Sequence, residues 1–168
     1  MADLSKLTAA MVQLNCGDPK HVYHFLEVYG FAKAIGESEG LDARTQLILE
    51  VAALTHDIGI RPAILTHGYQ NGKLQEQIGP GVARDLLAPL GFDADMIERV
   101  CWLIAHHHTT EPVEGIDHQI LLEADFLVNL NGKGVSAVNT VREKVFKTAM
   151  GLRLLDSIFL QENPIEGK

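Results

Sequence analysis

An all-α fold, built as one compact multi-helix bundle, follows from three observations on the sequence. Apolar residues recur at three- and four-residue spacing through most of the chain. Residues that cap helices stand ahead of those runs. No alternating apolar–polar segment bounded by hairpin turns interrupts them. The chain has 168 residues, 46% hydrophobic and 21% charged, so it is long enough to bury one continuous core and suits a single domain over residues 1–168.

Taken in order, Asp3 and Ser5 can cap a first helix that ends near Asn15–Gly17. Asp18-Pro19, a capping residue with proline in the first helical position, opens a second. Val22, Phe25, Val28, Tyr29, Ala32 and Ile35 give that helix its apolar stripe, and Gly36 is its expected end. Asp42 heads a third, with Leu47, Ile48, Val51, Leu54 and Ile58. Residues 59–73, GIRPAILTHGYQNGK, are expected to form a long loop broken by Pro62, Gly68 and Asn71-Gly72, and loops of that length in compact domains tend to be functional. A helix over about 75–89, with Pro80 near a turn or kink, ends before Gly91. Two more are expected over about 93–106 and 117–130. Asn131-Gly132-Lys133-Gly134 then breaks the chain, one or two last helices fill 135–160, and the tail from Gln161 is expected to fray.

Composition narrows the function classes. Two cysteines make no disulfide framework: Cys101 lies in the apolar run VCWLI and reads as core, while Cys16 reads as loop or helix-end filler. A net charge of −8 argues against coating a nucleic acid, which needs a basic face. It leaves room for a small phosphorylated substrate, because a bound metal reverses the local field. No apolar stretch approaches the ~20 residues of a membrane span, and the first residues lack the pattern of a signal peptide, so a soluble cytoplasmic protein is expected.

The chemistry concentrates in four segments. THDIG, residues 55–59, ends an apolar helix, so His56 and Asp57 emerge where the core stops. Neighbouring helical positions point about 100° apart, which lets one imidazole and one carboxylate flank a single ion. Asp125 stands in LLEADFLV with Leu121, Leu122 and Val128 on its own face. A carboxylate among aliphatic groups must be paired, capped or bound to a cation, and an arginine partner is the plain alternative to a metal. Glu123 falls on another face and is expected to be exposed. His24 shares an inward stripe with Val28 and Ala32, whereas His21 lies nearer the capped end and could support the site or touch substrate. His106, His107 and His108 cannot all share one helix face; at most two of them reach one site, and a histidine there also suits the negative end of the helix dipole.

The order His, His-Asp, His-His, Asp, each on a separate helix, resembles the HD-domain superfamily of metal-dependent phosphohydrolases, over roughly residues 18–130. HFLEVYGFA from His24, ALTHDIG, LIAHHH and LLEADFL carry the resemblance. It implies that His24, His56, Asp57 and Asp125 bind a divalent metal, with Asp57, His107 and Arg61 serving catalysis. His106, His107, His108, Glu76, Gln75 and Lys73 would serve a second metal or the substrate. Two imidazoles and two carboxylates suit Mn, Fe, Co, Ni or Zn. Many two-metal relatives carry a further histidine where LQEQIGPGVA stands here; Gln75 occupies that position, so one ion is expected, with Glu76 or His67 as substitutes for a second. The frequent lysine after HDIG is Ile60, with Arg61 next to it. The implied activity is cleavage of a phosphate ester or nucleotide by a metal-activated water. The alternatives are a metal- or nucleotide-binding module without turnover, and an iron oxygenase on the same fold. Residues 135–160 lie beyond the resemblance and would cover the core or form a homodimer face.

Overall fold

The structure, a computed structural model, describes residues 3–162. Nine α-helices lie among these residues: α1 (Leu4–Leu14), α2 (Pro19–Ser38), α3 (Ala43–Thr55), α4 (Ile60–His67), α5 (Gly72–Leu87), α6 (Ala94–His106), α7 (Ile116–Asn129), α8 (Val135–Lys144) and α9 (Ala149–Leu155). A π-helical turn, Asp156–Leu160, follows α9. There is no strand among the described residues, and the fold is all-α. Most of the expected fraying tail, residues 163–168, lies outside the described residues.

Helix α3 is the axis of the fold. Its residues Ile48 to Thr55 are all buried, so this stretch has no solvent face and must be surrounded; the one carboxylate in it, Glu50, is bonded by Tyr29, Lys33 and Gln46. Helices α1, α2, α6 and α7 surround it, α5 packs on α6, and α9 closes on α7. Starts are set by side-chain caps: Asp3, Asp18, Asp42, Asn71, Asp93 and Thr148 each accept a backbone N–H from the first turn they precede. Cys101 is buried, as its apolar surroundings imply.

Three expectations are corrected. Residues 59–73 are mostly helical. Pro62 falls in the first turn of α4, where its missing N–H has no intrahelical acceptor to lose, and Gly68 (φ 78°) closes the helix in the left-handed conformation. Only a short connection then separates α4 from α5. Helix α2 does not stop at Gly36 but runs one half-turn further. That glycine is needed for close approach to α3, since a Cβ there would lie 2.2 Å from Gln46 Oε1.

Glu123 is the third. It is completely buried and accepts hydrogen bonds from the backbone N–H groups of Lys147 (2.7 Å) and Thr148 (2.9 Å), the Thr148 hydroxyl and the Gln119 amide (2.7 Å). Its carboxylate thus ties the entry of α9 to α7. Helix α7 is covered on two faces, and a reading that allowed it one buried face placed Glu123 in solvent.

Candidate metal centre and its cleft

The helices around α3 bring four expected residues to one point. His24 projects from the middle of α2, and Asp125 from α7, which packs along α2. His56 is the residue at which α3 ends, and Asp57 follows it in the turn. The Nε2 atoms of His24 and His56 are 3.2 Å apart. His24 Nε2 lies 3.3 Å from Asp57 Oδ2 and 3.2 Å from Asp125 Oδ1, and His56 Nε2 lies 3.4 and 3.5 Å from the same two oxygens. His24, His56 and Asp57 form a group able to hold a metal ion, and Asp125 Oδ1 stands against it.

The imidazoles are oriented from behind. His56 Nδ1 is 2.9 Å from the Ala53 carbonyl, which can only accept, so Nδ1 carries the proton in the neutral ring and Nε2 presents its lone pair to the cluster. His107, where α6 ends, repeats the device: Nδ1 donates to the Ile104 carbonyl at 2.7 Å. His107 Nε2 faces Asp57 Oδ1 at 3.5 Å. Both His107 Nε2 and Asp125 Oδ1 are buried without a hydrogen-bond partner of good geometry, a state that costs free energy unless another group serves them. Convergent Nε2 lone pairs, two carboxylates and two orphaned buried atoms fit a divalent cation.

Electrostatics agree with that fit. Burial pulls the His24 imidazole down, but the close approach of the Asp125 and Asp57 carboxylates outweighs this and carries its pKa to about 9. His56 rises well above the ordinary imidazole value: burial opposes this, and the charges of Asp57 and Asp125 win. Burial pushes Asp57 up, while His56, His107 and His24 hold it well below the usual carboxylate range; Asp125 is likewise held down by His24 and His56 against its burial. The carboxylate pair therefore draws positive charge to this point.

The remaining candidates divide. Of the three consecutive histidines, only His107 reaches the centre. His106 turns away to stack on Trp102, with ring centroids 4.1 Å apart and Nδ1 donating to the Trp102 carbonyl. His108 packs over Gly72 and lies with Nδ1 3.5 Å from Glu76 Oε1. Glu76, His107 and His108 form a second group able to hold a metal ion. Burial, and then the neighbouring His107, press the His108 pKa below its ordinary value. Gln75 is buried on the wall of the cleft, with its amide nitrogen bonded to Gln70 and its oxygen unpartnered.

Arg61, Lys73 and His67 do not line the cleft. Arg61 donates to the Cys16 carbonyl at 3.0 Å, because its position on α4 turns it toward the α1–α2 junction; this corrects its expected role against a phosphate. Lys73 and His67 are exposed at the start of α5 and the end of α4.

The centre opens to solvent through a cleft of about 660 Å³. His24, Asp57 and Asp125 are on its lining, along with Lys20, His21 and Tyr23 from α2 and Asn131 and Lys133 from the break after α7. Sequence reasoning passed over the two lysines. For Lys20 the signal was present, one helical turn before His24; Lys133 stands in the break after α7, where helical spacing gives no direction.

Residues 22–147 match the sequence model of the HD domain family, three quarters of the chain, and the chain belongs to that family. The match runs past Leu130 into α8 and beyond it. No curated protein and no solved structure gives a significant match. An HD domain carries with it the class of a metal-dependent, hydrolase-like superfamily, and this chain holds His/Asp groups that could bind the metal. No helix among the described residues is long and apolar enough to cross a membrane.

Proposed function

We propose that the protein is a metal-dependent phosphohydrolase that cleaves a small phosphate ester or nucleotide. The observation that carries this reading is the cluster of His24, His56, Asp57 and Asp125 at the floor of a cleft whose walls carry Lys20 and Lys133. Those four side chains would hold the ion, which belongs among Mn, Fe, Co, Ni and Zn by ligand type. The chemistry such an ion supplies is polarisation of a phosphoryl oxygen and acidification of a water.

The chain's own residues do the rest. Asp57 faces His24 and His56 through Oδ2 and His107 through Oδ1, so a single carboxylate spans the centre and its neighbour. His107, anchored by the Ile104 carbonyl, keeps its Nε2 aimed at that neighbour, where it can take a proton from an attacking water. Lys20 and Lys133 offset the charge of a phosphate that would otherwise meet the carboxylates of Glu27, Asp57 and Asp125. The open, mostly polar cleft supports a small anionic substrate, nucleotide-like in size, over a nucleic-acid strand.

A binding module without turnover is the second reading, favoured by the neutral amide of Gln75 beside the Glu76–His107–His108 group. Metal-loaded protein is expected to hydrolyse 4-nitrophenyl phosphate or members of a nucleotide panel, and Asp57→Ala to lose both metal and turnover. Full activity in Asp57→Ala would sink the mechanism. Tight nucleotide binding with no turnover across metals and substrates would favour the second reading.

A further inference from the structure

We propose that His21, held by Asp18, donates the proton to the leaving group, and that the substrate is therefore a phosphate ester of an aliphatic alcohol such as a sugar or nucleoside hydroxyl. The inference rests on the phosphohydrolase reading and deepens it.

Asp18 uses both carboxylate oxygens on one residue. Oδ1 accepts the His21 backbone N–H at 3.2 Å, and Oδ2 meets His21 Nδ1 at 2.5 Å. The first contact is an ordinary helix cap; the second is not needed for capping and fixes the ring. The side-chain hydrogen bond from His21 holds the Asp18 carboxyl below its usual range, so near neutrality it is an acceptor only, and Nδ1 carries the proton. Nε2 is then the one ring atom free to exchange a proton. His21 lines the same cleft as the metal cluster, one turn before His24, and its side chain is neither buried nor fully exposed.

The charged and titratable groups on the cleft around it are Lys20, Tyr23, His24 and Glu27 on its own helix, Asp57 from the turn after α3, His108 from the end of α6, Asp125 of α7 and Lys133 beyond it. Asp18 holds the ring by Nδ1, and the two lysines favour an anionic ester in front of it. A carboxylate-oriented imidazole at the rim of a hydrolytic centre is the arrangement that general-acid catalysis requires.

The step balances with one water. The water oxygen forms the new P–O bond while the bond from phosphorus to the ester oxygen breaks. That oxygen takes the Nε2 proton of His21 and leaves as the alcohol. One proton of the water remains on the product phosphate, and the other passes by way of His107 to solvent, from which His21 recovers its own. Without a proton donor an aliphatic alkoxide is a poor leaving group, whereas 4-nitrophenolate departs as a stable anion. The value of His21 therefore depends on the alcohol.

The test compares wild type, His21→Gln and Asp18→Asn, each metal-loaded, on 4-nitrophenyl phosphate and on a panel of nucleoside monophosphates and sugar phosphates, with metal content measured in parallel. Asparagine caps a helix as well as aspartate, so Asp18→Asn keeps the start of α2 and removes only the charge on the ring. For the best aliphatic ester, kcat is expected to fall about 10²-fold or more in His21→Gln, in the range of general-acid effects. On 4-nitrophenyl phosphate the fall is much smaller, metal content is unchanged, and Asp18→Asn shifts in the same direction by less. Equal losses on both substrate types, or no loss on either, overturn the inference and leave the phosphohydrolase reading standing. So does a wild-type protein that hydrolyses only the aryl ester. A metal-loaded wild type that hydrolyses nothing overturns both.

Discussion

Replacing Glu123 by alanine tests whether the C-terminal helices are fastened to the metal-bearing core by one carboxylate. In the native fold that carboxylate serves two backbone N–H groups at 2.7 and 2.9 Å, a threonine hydroxyl and a glutamine amide; the Thr148 contacts are buried, and those of Lys147 and Gln119 are partly so. Alanine leaves these donors without an acceptor. The Thr148 hydroxyl can rotate, and the Gln119 amide also donates to the Val145 carbonyl at 2.7 Å. The two backbone amides have no such escape. At about 1–3 kcal/mol for the buried Thr148 donor, and somewhat less for the partly buried Lys147 donor, the two together cost about 2–5 kcal/mol. A domain of this size has about 5–15 kcal/mol in all, and loses about 2–4 °C of melting temperature per kcal/mol. Thermal denaturation followed by circular dichroism should thus show a fall of roughly 5–20 °C. Glu123→Gln keeps one acceptor oxygen but turns an NH₂ toward other donors, and should fall between the two. A melting temperature for Glu123→Ala within about 1 °C of wild type would refute the argument that these hydrogen bonds anchor α9.

Two further outcomes are expected. Gln75→His would add an imidazole beside Glu76, His107 and His108, and metal content by elemental analysis should rise from about one ion per chain toward two; an unchanged content would mean that Gln75 does not limit the second group. Asp93 caps α6 and pairs with Arg44 at 2.7 Å, and Arg44 holds its carboxyl below the ordinary value of 3.8. A depressed folded-state pKa stabilises above the unfolded value and is lost as pH falls through the folded one. The melting-temperature gap between wild type and Asp93→Ala should therefore be full near pH 7 and close below pH 4. A gap that widens in acid would contradict the pairing.

Much of the fold could be read from the sequence because helix starts are chemical events. Asp3, Asp18, Asp42 and Asp93 each stand where a helix begins and cap it as their residue type suggests. Helix α4 was hidden by its own punctuation: Pro62 and Gly68 break a helix interior but start and end a short helix equally well. The centre was legible because buried carboxylates and inward histidines need a reason to be there. Glu123 needed one too, but its partners Lys147 and Thr148 lie 24 and 25 residues away, beyond anything helical periodicity can reveal. Among His106, His107 and His108, adjacency made the sequence symmetrical. The end of α6 broke that symmetry by placing the His107 Nδ1 on the Ile104 carbonyl and the His106 ring on Trp102. Arg61 was placed at the site because it stands next to Ile60, where the family frequently has a lysine, whereas α4 carries it to the Cys16 carbonyl.

The central claim is that His24, His56, Asp57 and Asp125 together hold a divalent cation. Its most direct test is elemental analysis of wild-type and Asp125→Asn protein purified without added metal. The neutral amide keeps the shape of the side chain while removing one of the two charges that draw a cation to this point. About one transition-metal ion per wild-type chain and a small fraction of that in Asp125→Asn is the predicted result. Equal metal content in the two proteins, or none in wild type after exposure to Mn, Fe, Co, Ni and Zn in turn, would contradict the account.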